Sequence, residues 1–355
     1  MDRSRADTVE TVLGRKRLSE LGRTLTHEHF SLDFRKFYVP PPSHLKDFSN
    51  DELSLRNIGY IRQYPYSNLV NLSFNDDGSA AAVLEDVEIF KKSGGGTIVE
   101  NSNHGLQRDI FLMKAVSEST GINVIAGTGY YVASTQSAST LSTSKEEMYN
   151  LMYKELQTGC EECPDVKAGF IGEVGSTWPI EDFEKRAICA TGELQAQLGC
   201  PVSFHPGRNE SAPMEIMRIY QEAGGDSSKA IMSHIDRTLT SVEKLMEFAD
   251  ETKCYIQFDL FGTECSFYQL NTTIDMLSDA QRVKRIAKLK KEGKLRRVLM
   301  SHDVHTKHRL IPFGGHGYSH ITSNVIPSIM MNRGFTTEEI NTITIENPRK
   351  WLTRE

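Results

Sequence analysis

Eight short apolar runs, each followed by a polar stretch of helical character, limit how this chain can fold more than any other feature. The runs span residues 23–27, 96–101, 122–127, 168–174, 201–205, 230–234, 254–260 and 297–303. The helical stretches span residues 80–92, 108–120, 180–198, 212–222, 241–251, 273–292 and 319–333. Continuously apolar strands are typical of parallel sheets covered on both faces. The alternation predicts an α/β fold, either a (β/α)8 TIM barrel or an open doubly wound sheet.

The position of the polar residues favours the barrel. Histidines and carboxylates follow the ends of several runs, and the C-terminal strand ends of a TIM barrel form the rim that carries its active site. A last helix over residues 336–346 begins with a Thr-Thr-Glu-Glu capping signal and is expected to end at Asn347 and Pro348. We therefore predict one barrel domain over residues 1–355.

Residues 33–79 interrupt the alternation directly after the first run. This segment contains three consecutive prolines, at positions 40–42, and the tyrosines Tyr60, Tyr64 and Tyr66. So long a connection within a compact domain is uncommon unless it serves the function. We expect a lid or a pocket wall rather than a separate domain.

Composition excludes several classes of partner. The chain has 355 residues, 38% hydrophobic and 25% charged, with a net charge of −6, which does not indicate binding to nucleic acid or to an anionic membrane. Residues 1–16 lack the apolar core of a signal peptide, and no run approaches the roughly 20 apolar residues of a membrane span. Six scattered cysteines indicate a reducing compartment, the cytoplasm. Cys160 and Cys163 form a lone C-x-x-C, which we interpret as part of a loop.

Two histidines separated by one residue end the first run. Alternate side chains of a strand share a face, so His27 and His29 point to one side and Glu28 to the other. Taken singly, a strand-end His or Asp is more often a hydrogen-bonded structural residue or a helix cap. Their recurrence at equivalent strand ends instead predicts a metal site. The other candidate ligands at these ends are Glu173, His205, His234 and Asp303.

Six candidate ligands are too many for one catalytic zinc, which takes about three protein ligands and a water. They are better suited to two divalent ions bridged by a carboxylate and a hydroxide. Glu173 is the natural bridging ligand, since a carboxylate has two oxygens.

Cationic side chains follow three of the ligand positions. Arg208, Arg237 and Lys307 come shortly after His205, His234 and Asp303 in turn. Such residues suit a small anionic substrate, because a guanidinium matches carboxylate or sulfonate oxygens by paired hydrogen bonds. The alternative is that they are solvated loop charges, or ion-pair partners of acidic residues nearby.

Several motifs resemble those of the amidohydrolase superfamily and, within it, the phosphotriesterase-related proteins. The matching segments cover nearly the whole chain: LTHEH at 25–29, GEVG at 172–175, HPGR at 205–208, SHIDRT at 233–238, FDLFGTE at 258–264, HDVHTK at 302–307, GGHGYSH at 314–320 and ENP at 346–348. The resemblance implies a barrel with two divalent ions, usually zinc. It also implies that His27 and His29 hold the more buried ion. His205 and His234 would hold the more exposed one.

The same resemblance gives the carboxylates their roles, and two departures from it matter. Glu173 would bridge the ions, and Asp303 would bind metal and shuttle the catalytic proton. Phosphotriesterases bridge their ions with a carbamylated lysine, which Glu173 replaces. They also carry a proton-relay histidine where this chain has Leu260, so efficient organophosphate hydrolysis is not expected. Tyr131 matches an aromatic pocket position of these enzymes, or is an ordinary rim residue.

Animal phosphotriesterase-related proteins are associated with the hydrolysis of N-acetyltaurine to taurine and acetate. The resemblance therefore implies an amidohydrolase for small N-acyl amino sulfonates or amino acids, in which Asp303 relays the proton of a metal-bridging hydroxide to the leaving amine. A lactonase or a phosphoester or phosphotriester hydrolase on the same site is the alternative. A third reading is a metal-binding scaffold that has lost catalysis. The sequence leaves open whether the chain forms a homodimer.

Overall fold

The eight predicted runs form the eight parallel strands of one sheet in the computed structural model, which describes residues 7–354. Each strand pairs with its neighbour in the chain, so the order across the sheet follows the order along the sequence. The sheet curls into an almost closed barrel, which confirms the predicted (β/α)8 architecture. Residues 1–6 and Glu355, at the ends of the predicted domain, lie outside the described residues. Strands β1 to β8 span Arg23–Glu28, Gly95–Glu100, Asn123–Thr128, Phe170–Gly175, Val202–His205, Ala230–Met232, Tyr255–Phe258 and Val298–Met300.

Helices surround the barrel, and their apolar side chains pack on the outer faces of the strands in one continuous core. Helices α1 to α7 span Asp77–Lys92, Ile110–Thr120, Lys145–Gln157, Asp182–Leu198, Ala212–Glu222, Val242–Glu251 and Asp279–Lys291. Two further helical segments follow β8, over Ile321–Met330 and from Thr337 to Leu352. Among the described residues, none of the helices is both long and apolar enough to cross a membrane.

Two of the numbered helices differ from the prediction. Helix α3 was not predicted, although Ser144 and Glu147 form a reciprocal capping box at its start. The predicted helix over 273–292 begins only at Asp279. Its first residues instead form the strand Asn271–Asp275, which pairs with Phe267–Tyr268 in an antiparallel hairpin after β7.

The last helix does not end at Asn347 and Pro348, so that prediction was wrong. A wider π-type turn over Thr342–Glu346 precedes Pro348, and the helix continues to Leu352. This extension brings Trp351 into the bottom of the barrel. Its Nε1 donates hydrogen bonds to the carbonyl oxygens of Val202 and Lys229, at 3.2 and 3.1 Å. The lower end of the barrel is therefore closed by a buried indole.

Residues 33–79 contain two short helices, Ile58–Gln63 and Leu69–Leu72, and the strand Ser73–Phe74, which pairs with Leu32–Asp33. Several large apolar side chains of this segment belong to the core of the barrel, because they are buried in the same cluster as the strand residues. They include Phe34, Tyr66, Leu72 and Phe74.

The first and last strands stand at the two ends of the hydrogen-bonded strand order, and a buried carboxylate joins them. Glu28 Oε1 accepts hydrogen bonds from Ser301 Oγ at 2.7 Å and from both the backbone N and Nδ1 of His302, at 2.9 and 2.8 Å. Its Oε2 accepts the backbone N–H of Val304 at 3.0 Å. One fully buried side chain therefore forms several hydrogen bonds across the seam of the barrel.

Replacing Glu28 by Ala is expected to lower the free energy of unfolding by more than about 3 kcal/mol. The change leaves several buried donors without an acceptor, and each costs about 1–3 kcal/mol. Urea denaturation measures the effect. The control is Glu20→Ala, which removes an exposed ion pair with Arg17 and should hardly change the free energy of unfolding. Equal stability of the two variants would contradict the role of Glu28.

Candidate active site

The six predicted metal ligands converge in one buried cluster at the C-terminal rim of the barrel. Glu173, near the end of β4, lies at its centre. Its Oε1 is 3.4 Å from His29 Nε2, and its Oε2 is 3.0 Å from His205 Nδ1 and 3.5 Å from His27 Nε2. The same Oε2 is 3.7 Å from His234 Nε2. One carboxylate therefore faces both histidine pairs.

Asp303, which follows β8, completes the cluster on the side of the first pair. Its Oδ1 lies 3.3 Å from His29 Nε2 and 3.7 Å from His27 Nε2. Among the described residues, three groups of ligand-type atoms each lie within 4.8 Å of one another, and two of them consist of predicted ligands alone, the third being Asp259 with His27 and His234. Of the first two, one group is His27, His29 and Asp303, and the other is Glu173, His205 and His234.

Hydrogen bonds from outside the cluster orient three of the imidazoles. Asp259 accepts from His234 Nδ1 at 2.8 Å and lies 3.2 Å from His27 Nδ1. His29 Nδ1 bonds Ser102 Oγ at 3.0 Å, and that hydroxyl donates to Glu100 at 2.7 Å. With Nδ1 engaged, each of these rings presents Nε2 to the centre of the cluster, as is usual for metal-binding histidines.

The donor set fits divalent cations. His27 Nε2 is buried and has no hydrogen-bond partner among the described residues, although it faces two carboxylates. A buried polar atom without a partner costs about 1–3 kcal/mol, so its retention indicates that a ligand completes it. Imidazole nitrogens and carboxylate oxygens together suit zinc and several other divalent ions.

Two of the ligands sit on strained backbone. His234 has φ 55° and Asp303 has φ 54°, both in the left-handed region that non-glycine residues rarely adopt. Such conformations cost about 1–3 kcal/mol and cluster at functional sites, where the surroundings hold them in place. The backbone therefore departs from regular strand geometry at both residues, whose side chains are candidate metal ligands.

Both carboxylates of the cluster are held in the charged form. Burial raises the pKa of Glu173, but the nearby His27 and His205 more than offset this and hold it well below its usual value. Burial likewise raises the pKa of Asp303, and contacts with His305 and His29 hold it well below its usual value. Charged carboxylates can bind a cation or accept a proton.

A narrow cavity lies above the cluster. The loops after β1 to β3 and the 33–79 segment line it with apolar and aromatic side chains: Leu32, Phe34, Tyr66, Leu106 and Tyr131. The loops after β5 to β7 line it with Arg208, Arg237 and Tyr268. The cavity therefore has a largely apolar part and a cationic part, with the ligand cluster below both.

The predicted substrate-binding residues divide into two groups. Arg208, Arg237 and Tyr131 line the cavity, and the Tyr131 hydroxyl lies 3.4 Å from His205 Nε2. Lys307 is not brought to the cavity, because its ammonium forms an ion pair with Asp76 at the start of α1. Lys307 is therefore an ion-pair partner of an acidic residue, which was the alternative interpretation of the three cations.

Sequence reasoning missed several residues that build the site. Asp259 lies in the FDLFGTE segment, but it was assigned no role from the sequence. Glu100 ends β2 and could have been found as a buried strand-end carboxylate. Tyr268 was missed because the end of its hairpin partner, residues 273–275, was assigned to a helix. His305, which was not among the predicted site residues, lines the cavity beside Asp303.

Comparisons with known proteins agree with this architecture. The model of the phosphotriesterase family matches residues 7–352. The phosphotriesterase-related protein of Drosophila persimilis is 52% identical over 345 residues, which cover 97% of this chain and 98% of that protein. The protein of the same name from Drosophila melanogaster is 52% identical over 346 residues, with the same coverage.

Solved structures give the same picture. A resiniferatoxin-binding protein from Rhodobacter sphaeroides superposes with a TM-score of 0.92 at 26% identity, covering 98% of this chain and 95% of that one. A phosphotriesterase homology protein from Escherichia coli, solved with phosphate in its active site, has a TM-score of 0.74 at 25% identity, covering 94% of this chain and 99% of that one. With its barrel and its cluster of candidate metal ligands, the chain belongs to the phosphotriesterase family of metal-dependent hydrolases.

Proposed function

We propose that the protein is a binuclear amidohydrolase for small N-acyl substrates whose amine part carries an anionic group. N-acetyltaurine, cleaved to taurine and acetate, is the leading candidate, and zinc is the candidate metal. The observation that carries this proposal is Arg237, which is 4% exposed and lines the cavity above the ligand cluster. Among the described residues, no carboxylate lies within ion-pair distance of Arg237 or of Arg208.

A buried guanidinium without a counter-ion is costly, because desolvation is not balanced by an ion pair. Arg237 instead stacks on an aromatic ring, with Cζ 4.7 Å from the centroid of Tyr268. Arg208 donates to the Tyr268 hydroxyl at 2.9 Å. A cavity that holds two unpaired guanidiniums is suited to an anion, and a sulfonate or carboxylate of the substrate supplies one.

The residues of the cluster have distinct roles in this proposal. His27, His29 and Asp303 would hold one ion, His205 and His234 the other, and Glu173 both. Bound divalent ions lower the pKa of water towards neutrality and polarise a carbonyl oxygen. Asp303 lies at the edge of the cavity, where its carboxylate can accept a proton from water and return it to the leaving nitrogen. Amide nitrogen leaves poorly without that proton.

The shape of the cavity favours a short acyl group. The narrow cavity must hold both the amide and the anionic group. Phe34 and Leu106 offer apolar surface for the acyl carbons, while Arg208 and Arg237 take the opposite end of the molecule.

The six cysteines are free thiols, which supports a reducing compartment, the cytoplasm.

A phosphoester hydrolase on the same site is the second candidate, favoured by the phosphate in the active site of the Escherichia coli relative. A panel of N-acetyltaurine, N-acetyl amino acids, lactones, phosphomonoesters and paraoxon separates the candidates. We expect the highest kcat/KM on the anionic N-acyl substrates. Turnover confined to the lactones or phosphoesters would overturn the amidohydrolase proposal.

Metal content tests the ligand cluster without reference to substrate. We expect about two divalent ions per chain by elemental analysis after purification without chelator. Glu173→Gln should lose at least one of them and nearly all activity, because the amide cannot bridge two cations. Glu162→Gln alters a surface carboxylate paired with Arg108 and should keep both ions. A Glu173→Gln protein with full metal content would exclude the bridging role.

Arg237 and Lys307 form a matched pair for testing anion binding. Arg237→Met should raise KM for an anionic N-acyl substrate about 10- to 100-fold, since hydrogen bonds to charged groups contribute about 1.5–3 kcal/mol. Lys307→Met removes a cation that is already paired with Asp76, so KM should hardly change. Steady-state kinetics decide the matter: a KM that responds to Lys307 and not to Arg237 would contradict the proposed site.

A further inference from the structure

Three polar side chains from three consecutive loops meet in the cavity: Arg208 after β5, Arg237 after β6 and Tyr268 after β7. Arg208 donates to the Tyr268 oxygen from Nη2 at 2.9 Å and from Nε at 3.3 Å. Its Cζ is 5.5 Å from the centroid of the Tyr268 ring, and that of Arg237 is 4.7 Å away. Both guanidiniums therefore converge on one phenol.

The position of Tyr268 is fixed by contacts on both sides of the cavity. It lies on the hairpin of Phe267–Tyr268 and Asn271–Asp275, and its side chain is buried. The next residue, Gln269, accepts the backbone N–H of Tyr66 at 2.9 Å and donates to Ser67 Oγ at 2.6 Å. The hairpin is thus tied to the 33–79 segment, and the phenol is held between the two guanidiniums before any ligand binds.

We propose that Tyr268 determines specificity for the anionic group of the substrate. A phenol oxygen that accepts from Arg208 still has its own proton to donate. Tyr268 would use that proton to donate a hydrogen bond to an oxygen of the bound anion. Arg208 and Arg237 would supply the positive charge. This assignment rests on the proposed function, since it names the residue that reads the anionic end of the same substrate.

An anion should bind to the protonated phenol of Tyr268 and not to its phenolate, which carries a negative charge of its own. Burial raises the pKa of Tyr268, but Arg208 and Arg237 more than offset this and lower it. The other titratable groups that face it are Tyr66, from the 33–79 segment, and Tyr131, from the β3 loop, and burial raises the pKa of both. Tyr268 therefore ionises first, and its phenolate would repel the anion. Anion affinity should fall as pH rises through this pKa, below the usual value of about 10.

Kinetics of Tyr268→Phe test the assignment. We expect KM for an anionic N-acyl substrate to rise about 10- to 100-fold, as for the loss of a hydrogen bond to a charged group. The kcat should be nearly unchanged, and so should KM for the uncharged analogue N-acetylethanolamine. The matched control is Tyr220→Phe, which removes a buried hydroxyl bonded to the Asp226 carbonyl, remote from the site. Equal rises in KM for both substrates would show a merely structural role and overturn the proposal.

Binding of ethanesulfonate separates this proposal from the proposed function, because that probe has no amide. Isothermal calorimetry on the metal-loaded protein should show weaker binding to Tyr268→Phe than to the unmodified chain. The loss of affinity between about pH 7 and about pH 10 should be smaller in the variant, which lacks the titrating phenol. Unchanged affinity and pH dependence would refute the role of Tyr268, whatever the enzyme hydrolyses. Weaker binding together with no amide turnover would uphold Tyr268 and refute the amidohydrolase.

Discussion

The barrel and its active site both depend on how the first and last strands are joined. At that seam the Glu28 carboxylate accepts hydrogen bonds from the Ser301 hydroxyl and from the backbone N–H groups of His302 and Val304. The same short segments carry His27, His29 and Asp303, and the backbone N–H of Asp303 donates to the carbonyl of His27 at 3.1 Å. The contacts that close the barrel therefore also position three of the candidate ligands. Most of these contacts involve the buried Glu28 carboxylate.

The rim keeps its positive and negative charges apart, and this separation gives the cavity its chemistry. Glu173 and Asp303 face imidazoles, while Arg237 faces the ring of Tyr268. Had Arg237 paired with Asp303, the guanidinium would have competed with a cation for the carboxylate, and only Arg208 would remain for an anionic substrate. The short helix Ile235–Thr238 allows this, because it places Arg237 one helical turn beyond His234.

Much of this could be predicted from the sequence, since the signals are local. Apolar runs at regular intervals predict parallel strands, and ligand-type residues at their ends predict which side chains share a rim. Ion pairing is not local, so the sequence did not separate Lys307, which pairs with Asp76, from Arg237, which pairs with no carboxylate among the described residues. Tyr268 was hidden for a similar reason. Its hairpin is stabilised by contacts of Gln269 with Tyr66 and Ser67, about 200 residues away in the chain, and no pattern in the hairpin itself records them.

The seam also has a consequence for how the protein is made. Glu28 and Ser301 are 273 positions apart, so their contact belongs to the slowest class of contact to form. A ribosome exposes β1 long before β8. Until β8 is made, β1 has an unpaired edge, and His27 and His29 lack their contacts with Asp303. The six candidate metal ligands can therefore come together only after β8 and Asp303 have been synthesised. Until then the nascent chain presents an unpaired sheet edge that chaperones can cover.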